Sequence, residues 1–266
     1  AGNGLNTAHR SAIFLNRNHF AYMLTLCLLG FAGYSIYLNG FLYIGSLLLF
    51  ALNLCALIKN NTFGCYLAVL TGLLFLLITS HLINLKMVKK VLVLLLIFFT
   101  VTIICEFQGT GTVSKDFDTM IDDIESPTQN QNSGNGRLIL WEKAIECIWK
   151  KPIWGYGPEG LHDMYLNAGY ENDRPHNEYL QIAAFHGIPA LFMYLGSLLS
   201  LFLYCIKRLR YLPKELLIIG SMIFSYCVSS FFGNSMYYTT PYFYLFFGIL
   251  SGIKSKNLDC SIKLMI

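Results

Sequence analysis

The chain has 266 residues, of which 55% are hydrophobic and only 13% are charged. Its mean hydropathy is +0.52. This composition excludes an ordinary soluble domain and indicates an integral membrane protein surrounded by membrane lipid. The formal net charge of +4 does not require a nucleic-acid partner, because the basic residues that produce it follow the pattern of membrane topology.

The first ten residues, AGNGLNTAHR, are polar. They have neither the basic start nor the apolar centre of a signal peptide. Because the chain also begins at Ala1 rather than Met, we expect it to be the C-terminal part of a longer protein. Residues 1–18 are predicted to form an N-terminal segment outside the cytoplasm.

Seven apolar runs follow, and each is interpreted as a membrane-spanning helix. At about 1.5 Å per residue, the run 189–206 is about 27 Å long, which matches a hydrocarbon core of roughly 30 Å. The sequence therefore predicts an all-α, polytopic membrane helix bundle, with four spans in residues 19–105 and three in residues 189–254. The runs cover residues 20–38, 41–58, 63–80, 91–105, 189–206, 216–233 and 237–253.

Basic residues predict the orientation of these spans, because Lys and Arg in short loops are retained on the cytoplasmic side. Ten of them follow the third, fifth and seventh runs, and these three places share one side of the membrane if every run crosses once. The long loop 106–188 then lies outside the cytoplasm, and the tail 255–266 lies inside. From Glu106 to His176 the loop has twelve acidic residues against six Lys and Arg residues. The ten basic residues are Lys86, Lys89, Lys90, Lys207, Arg208, Arg210, Lys214, Lys254, Lys256 and Lys263.

Within the outer loop, the stretch RLILWEKAIECIWKKP predicts an amphipathic helix from Arg137 that ends before Pro152. We expect this helix to lie on the membrane or on the other spans, with its tryptophans at the level of the lipid headgroups. The residues expected on its apolar face are Leu138, Trp141, Ile145 and Ile148.

Two further patterns in the loop predict no binding site. Gly155, Gly157 and Gly160 have the spacing GxGxxG, but no strand precedes them and a proline lies among them, so they indicate a tight turn and not a dinucleotide site. Asp122 and Asp123 are two adjacent carboxylates without a nearby His or third acid, which is typical of a solvated surface. We therefore expect neither a metal nor another cofactor.

A polar segment, RPHNEYLQIAAFHGIPA, leads into the fifth span. Pro189 interrupts the helix, so that 177–186 is predicted to be a separate short helix with Asn177 as its N-cap. His176 then precedes a helix N-terminus beside Arg174, and both the helix dipole and the guanidinium favour a neutral imidazole. A neutral imidazole suits a general base, although an interfacial histidine that only satisfies backbone groups would show the same pattern. His186 lies at the other end of the helix, where nothing local activates it.

Three segments together carry a resemblance that covers most of the chain. GNGRLILWEKAIECIWKKPIWGYGP contains Gly-Arg, Trp, Pro and Gly-x-Gly; HNEYLQIAAFHGIPA contains His-Asn and, after nine intervening residues, Gly; and the first span starts with NRNHFAYML. These patterns resemble those of the bacterial O-antigen ligase and O-antigen polymerase family of polysaccharide-assembling membrane proteins.

The resemblance implies a glycosyltransferase of the bacterial cytoplasmic membrane. We expect it to be metal-independent, because the loop offers Arg and Lys for the diphosphate and no convincing cluster of metal ligands. Members of the family take a glycan from an undecaprenyl diphosphate carrier at the outer face and transfer it to a sugar hydroxyl, on another lipid-linked repeat in a polymerase or on a different acceptor in a ligase. His176 matches the family's loop histidine and would be the catalytic base. Arg137 matches its loop arginine and would bind the diphosphate through two hydrogen bonds. Arg174 and Asn177 are further candidates for substrate binding.

The chain departs from the family at the start of the third span. Where the family has Ser-Arg-Gly, the chain has Thr62, Phe63 and Gly64, so that a phenylalanine replaces a cation. Lys59 or Arg17 are candidates for that cation's role in substrate binding. Lys59 also has the simpler interpretation of a lysine that extends from the end of a span to the membrane surface.

Two other functions remain open from the sequence. A polytopic transporter would usually have ionisable residues within its spans, and the apolar runs contain no Asp, Glu, Lys or Arg. A non-catalytic membrane protein that binds a lipid-linked glycan would need Arg137 but no base at His176.

Overall fold

The computed structural model describes most of the membrane domain and part of the loop. The described residues are 14, 16–109, 113–115, 117–118, 121, 137–158, 160–167, 174–207, 213–235 and 237–263. The predicted N-terminal segment is largely outside them, as are Asp122 and Asp123. Within these ranges the side chains of His81, Arg137 and residues 253–263 are also outside the description.

Within the described ranges the regular elements are all helices, which confirms the predicted all-α class. Several helices begin at an asparagine N-cap. The side chains of Asn16 and Asn84 each accept a hydrogen bond from the backbone N–H group two residues later. The elements are α1 (Arg17–Tyr37), α2 (Gly40–Asn60), α3 (Phe63–Ile83), α4 (Leu85–Phe107), α5 (Arg137–Lys150), α6 (His162–Asn167), α7 (Glu178–His186), α8 (Ile188–Lys207), α9 (Lys214–Ser229), a 3-10 turn (Ser230–Phe232) and α10 (Thr240–Lys263).

Among the described residues, six helices are long and apolar enough to cross a membrane: α1 to α4, α8, and α9 together with its 3-10 turn. They correspond to the first six predicted spans. The seventh predicted run, 237–253, falls on α10, where only the side chains up to Gly252 are described. A seventh crossing therefore stays a prediction.

The fourth span is longer than its apolar run indicates. α4 begins at Leu85, directly after the single residue Asn84 that ends α3, and it extends to Phe107. The three lysines expected in a loop before this span are therefore in its first two turns. One of them, Lys90, donates hydrogen bonds to the carbonyl oxygens of Ile36 and Leu38 at the end of α1. A lysine in this position supplies hydrogen bonds to carbonyl groups at a helix C-terminus that have no partner within the helix. The pattern of apolar residues could not reveal this role.

Small residues allow the central helices α1, α3 and α9 to pack closely. A Cβ atom added to Gly33 of α1 would lie 2.7 Å from Ile218 of α9, and one added to Gly72 of α3 would lie 2.6 Å from Leu29. Such close approach is the usual way in which helices associate in lipid, where burial of apolar side chains gives no advantage over contact with lipid tails. The helices α2, α4 and α8 instead carry many exposed large apolar side chains, as expected at a lipid-facing surface.

The loop helices form a second, smaller core on α7. It contains Leu140 and Cys147 of α5, Leu161 and Tyr165 around α6, and Ala184 of α7. The hydroxyl of Tyr165 donates to the carbonyl oxygen of Leu140 at 2.8 Å, which joins α6 to α5. The long loop therefore packs on the short helix that follows His176.

The side of α5 that packs inside the protein differs in part from the predicted apolar face. The buried residues of α5 are Leu140, Ala144, Cys147 and Ile148, whereas the predicted Leu138 and Trp141 are half-buried. Ile145 is 44% exposed and Trp149 is 74% exposed. α5 is apolar on two sides, and packing against α6 and α7 selects the side with the smaller residues. The exposed side, with Trp149, is left for the lipid headgroups.

Candidate active site at the loop end of the bundle

Because successive helices run in opposite directions, one set of their ends lies at the same end of the bundle as the described residues of the loop, which are mainly 137–158, 160–167 and 174–187. This end is here called the loop end. The side-chain amide of Asn60, the last residue of α2, donates to the carbonyl oxygen of Arg17 at 3.1 Å. The hydroxyl of Tyr22 in α1 donates to the carbonyl oxygen of Ser229 at 2.8 Å. The start of α1, the end of α2 and the end of α9 therefore meet at the loop end.

The turn after α5 holds the C-terminal end of α7. The backbone N–H groups of Tyr156 and Gly157 donate to the carbonyl oxygens of Ala184 and Phe185, each at 2.8 Å. The last carbonyl groups of a helix have no partner within the helix, and the turn supplies one. The segment WGYGPEG is thus a tight turn, as predicted, and its function is to fix α7.

Two glycines make this contact possible. Gly155 has φ +65°, and a Cβ atom there would lie 2.5 Å from the carbonyl oxygen of Phe185. Gly187 has φ +88°, and a Cβ atom there would clash with the carbonyl group of Ile153. Positive φ and close backbone approach both require glycine at these two positions.

His176 lies at the other end of α7. Asn177 is the N-cap of α7, as predicted, and its side-chain oxygen accepts from the backbone N–H groups of Tyr179 at 3.0 Å and Leu180 at 3.1 Å. His176 itself has φ +50°, in the left-handed region that non-glycine residues seldom adopt. Backbone strain of this kind is concentrated at functional sites, where the surrounding structure enforces it.

Asn234 has a polar side chain that contacts the His176 ring. Its Nδ2 atom is 3.3 Å from Nδ1 of His176. Asn234 follows the 3-10 turn at the end of α9 and is only 8% exposed. The contact therefore joins the start of α7 to the loop end of the membrane bundle. The sequence analysis missed Asn234, because no local pattern relates it to a histidine 58 residues earlier.

Glu178 is a buried carboxyl group directly after the His-Asn pair. It is 1% exposed, and its Oε2 atom accepts from the hydroxyl of Ser230 at 2.9 Å and from that of Tyr226 at 3.1 Å. Burial raises the pKa of Glu178, while hydrogen bonds from Ser230, Tyr226 and Ser235 act in the opposite direction. Glu178 thus anchors α7 to the end of α9. The sequence analysis missed it, since an acid in the first turn of a helix is usually exposed.

The two loop arginines lie in different segments, Arg137 at the start of α5 and Arg174 in the segment before α7. Arg174 is half-buried, two residues before His176. Arg137 is the first residue of α5, which packs against α7, and its side chain lies outside the description. His186, at the opposite end of α7 from His176, is exposed.

The two cations from the spans are both at the loop end. Arg17 is the first residue of α1 and is half-buried, and Lys59 is exposed in the last turn of α2. They are connected through Asn60, which binds the backbone of Arg17. The exposure of Lys59 is compatible with either of its two interpretations.

Phe63, at the position where the sequence analysis expects a family arginine, also lies at the loop end. Its ring stacks on that of Tyr66, with 6.4 Å between the ring centroids. The adjacent Gly64 packs against Phe232 of the 3-10 turn so closely that a Cβ atom would clash. Phe63 and Gly64 therefore lie beside the turn that leads to Asn234, and their contacts there are apolar.

An aromatic cluster completes the loop end. The ring of His19 contacts those of Tyr237 and Tyr238, with 4.5 Å and 5.2 Å between centroids. Tyr238 also contacts Phe14 at 5.4 Å. The two tyrosines are exposed, and rings of this kind offer flat apolar surfaces with a polar edge. These residues were not singled out from the sequence, since tyrosines near a span end are common.

Among the residues that the structure describes, no group of three or more His, Cys, Asp or Glu side chains could hold a metal ion. The carboxylates Asp122 and Asp123 lie outside that part of the chain.

Comparison with known protein families gives one match. The profile of a family described as O-antigen ligase matches residues 48–195, more than half of the chain. The matched segment extends from α2 into α8 and includes Lys59, Arg137, Arg174 and His176. A search among characterised proteins finds no significant match. The chain therefore belongs to the O-antigen ligase family.

Proposed function

We propose that the chain transfers a glycan from an undecaprenyl-diphosphate-linked donor to a sugar hydroxyl at the outer face of the bacterial cytoplasmic membrane. The observation that carries this proposal is the position of His176. It lies inside the family-matched segment, in a strained conformation, where α7 meets the loop end of the bundle. A glycan on a membrane-anchored carrier would meet the protein at this level.

The proposed reaction is a direct displacement at the anomeric carbon of the donor sugar. His176 accepts the proton of the acceptor hydroxyl while that oxygen forms a bond to the anomeric carbon. The bond between this carbon and the diphosphate oxygen breaks, and its electron pair leaves with the diphosphate. The products are the extended glycan and undecaprenyl diphosphate, and the proton on His176 is released to solvent.

The departing diphosphate requires positive charge close to its oxygens. We assign this role first to Arg137, because a guanidinium group can donate two parallel hydrogen bonds to one phosphate. Arg174 is the second candidate, since it is two residues from His176. Arg17 and Lys59 are the candidates to replace the charge that the family has at the position of Phe63. Asn177 contributes indirectly, as the cap that fixes the start of α7.

Catalysis is proposed to need no divalent metal, because the arginines can neutralise the diphosphate that a metal would otherwise bind. We expect activity to be unchanged by EDTA. Loss of activity in EDTA that is restored by Mg²⁺ or Mn²⁺ would contradict this part of the proposal.

Transport is the alternative from another functional class. The apolar cleft between α8 and α9 is lined by residues such as Phe202, Ile206 and Leu217, near the end of the bundle opposite to His176. Its lining contains no Asp, Glu, Lys, Arg or His side chain. Transporters usually place such groups along the pathway, so this cleft lends no support to transport.

The test supplies purified full-length protein with a lipid-linked oligosaccharide from a polysaccharide-producing strain. A ladder of product lengths is expected from a polymerase, and one transferred block from a ligase. His176→Ala should lower the rate by a factor on the order of 10² to 10⁴ while donor binding persists. His186→Ala is the matched control, since it changes an exposed histidine at the other end of the same helix. Equal losses in both variants, at equal membrane insertion, would show that His176 is structural.

A further inference from the structure

Asn234 and His176 form a pair whose hydrogen-bond direction decides which ring nitrogen is basic. A neutral imidazole has one N–H donor and one acceptor nitrogen. The side-chain amide of Asn234 offers a donor at Nδ2 and an acceptor at Oδ1, and rotation of the amide by half a turn exchanges the two. Nδ2 and Oδ1 have nearly the same size, so the contact of 3.3 Å at Nδ1 of His176 fits either group.

The two directions have opposite consequences for the proposed base. If Nδ2 of Asn234 donates to Nδ1, the only lone pair of the neutral ring is occupied and Nε2 carries the proton. If Oδ1 accepts from an Nδ1–H group, the lone pair is on Nε2, which is the nitrogen that can then take a proton. The side chain of Asn234 is itself buried, and with Nδ2 toward His176 its Oδ1 atom has no hydrogen-bond partner among the described residues. After rotation the amide Nδ2 atom would take that same position, so the burial of Asn234 does not choose between the two directions. Because Asn234 lies against Nδ1 in either direction, a base at His176 acts through Nε2, and this requires the second direction.

The surrounding contacts hold the pair in place. Glu178, two residues after His176, accepts a hydrogen bond from Ser230, four residues before Asn234. Gly233, directly before Asn234, packs against the hydroxyl of Tyr22 without room for a Cβ atom. The short segments that carry His176 and Asn234 are therefore held in place by contacts other than the one between His176 and Asn234. This is the arrangement by which a supporting residue can orient a functional side chain.

We propose that Asn234 is a positioning residue for His176. Its Oδ1 atom accepts the Nδ1–H group of His176 and thereby leaves the lone pair on Nε2, which takes the proton of the acceptor hydroxyl. This inference rests on the proposed role of His176 as the base. A hydrogen bond to one ring nitrogen of a histidine generally fixes its tautomer and leaves the other nitrogen as the base.

The test measures the tautomer directly, without substrate. Protein labelled with ¹⁵N-histidine is reconstituted in lipid bilayers and studied by solid-state NMR above the pH range in which histidine titrates. The signals of His176 are identified by their loss in His176→Gln, which leaves five of the six histidines of the chain. We expect the wild-type ring to be protonated at Nδ1. A wild-type ring protonated at Nε2 would overturn the proposal.

Two variants of Asn234 separate positioning from folding. Asn234→Asp has only acceptor oxygens and should retain the Nδ1–H tautomer, whereas Asn234→Ala should lose the preference for it. In the transfer assay, Asn234→Ala is expected to lower kcat by a factor on the order of 10² with donor KM unchanged, because the base is misoriented. An Asn234→Asp ring protonated at Nε2 would count against the proposal.

The outcome also separates this inference from the proposed function. If the Nδ1–H tautomer is found but His176→Ala remains fully active, the hydrogen bond exists and the assignment of the base fails. If His176→Ala is inactive but the wild-type ring carries its proton on Nε2, the base stands and the role of Asn234 is refuted.

Discussion

Glu178 makes the stability of the α7 junction depend on pH. Burial raises the pKa of its carboxyl group in the folded protein. The folded state therefore binds this proton more tightly than the unfolded state does. The contribution of Glu178 to stability is complete below the unfolded pKa of about 4.3, and it is lost as the pH rises through the folded pKa.

Glu178→Gln should remove this pH dependence, because the amide oxygen still accepts hydrogen bonds but does not ionise. We expect the unfolding temperature of the wild type to fall more than that of Glu178→Gln as the pH is raised from about 5 to 8. Glu178→Ala leaves the hydroxyls of Ser230 and Tyr226 without this acceptor and should cost about 1 to 3 kcal/mol at the acidic end of this range, where the wild-type carboxyl group is protonated. Parallel curves for wild type and Glu178→Gln, recorded by tryptophan fluorescence in detergent, would refute the assigned cause.

Arg137 is the second prediction at the scale of a residue. Arg137→Lys keeps the positive charge but loses the planar pair of donors, so we expect kcat/KM for the lipid-linked donor to fall by about tenfold or more. Arg208→Lys, in the basic segment after α8, is the control and should have little effect. If both lysine variants behave alike, the diphosphate is bound by another cation.

At the scale of elements, the contact between the turn after α5 and the end of α7 depends on its glycines. Gly155→Ala and Gly187→Ala should each destabilise the protein by more than the roughly 1 to 2 kcal/mol that a left-handed alanine costs, because a backbone clash is added. Gly196→Ala in α8 is the control. Its Cβ atom meets nothing within 4 Å, and alanine favours a helix by up to about 1 kcal/mol over glycine.

Transfer activity should follow this stability difference, since the same contact supports the helix that begins after His176. Thermal unfolding and transfer assays on the three alanine variants would test the relation. Wild-type stability in Gly187→Ala would mean that the turn does not hold α7 in the membrane.

At the scale of the whole molecule, residues 106–176 are predicted to face away from the cytoplasm, because ten Lys and Arg residues follow spans at the opposite end. Ser133→Cys, in a background without Cys147, should react with a membrane-impermeant maleimide on intact cells. Lys86→Cys is the matched control, because Lys86 is exposed at the opposite end of the bundle and should react only after permeabilisation. The reverse pattern of labelling would invert the proposed topology.

Hydrophobicity and local turn chemistry determined much of this protein from the sequence alone. The six apolar helices, the Asn177 cap and the break before α8 follow from apolar runs, a capping residue and a proline. These features are local, because a helix satisfies its own backbone hydrogen bonds wherever its neighbours lie. The His-Asn segment could likewise be singled out as a candidate site from its own residues.

Tertiary structure alone decided what surrounds that segment. α5 has two apolar sides, and only the partners α6 and α7 decide which of them packs inside the protein. From the sequence, Glu178 would be expected to be an exposed acid. Only the tertiary structure places the hydroxyls of Ser230 and Tyr226 against it. Asn234 reaches His176 only because α8 and α9 return the chain to the loop end. Contacts between residues so far apart depend on how helices pack, and packing against neighbours leaves no periodic signal in the sequence.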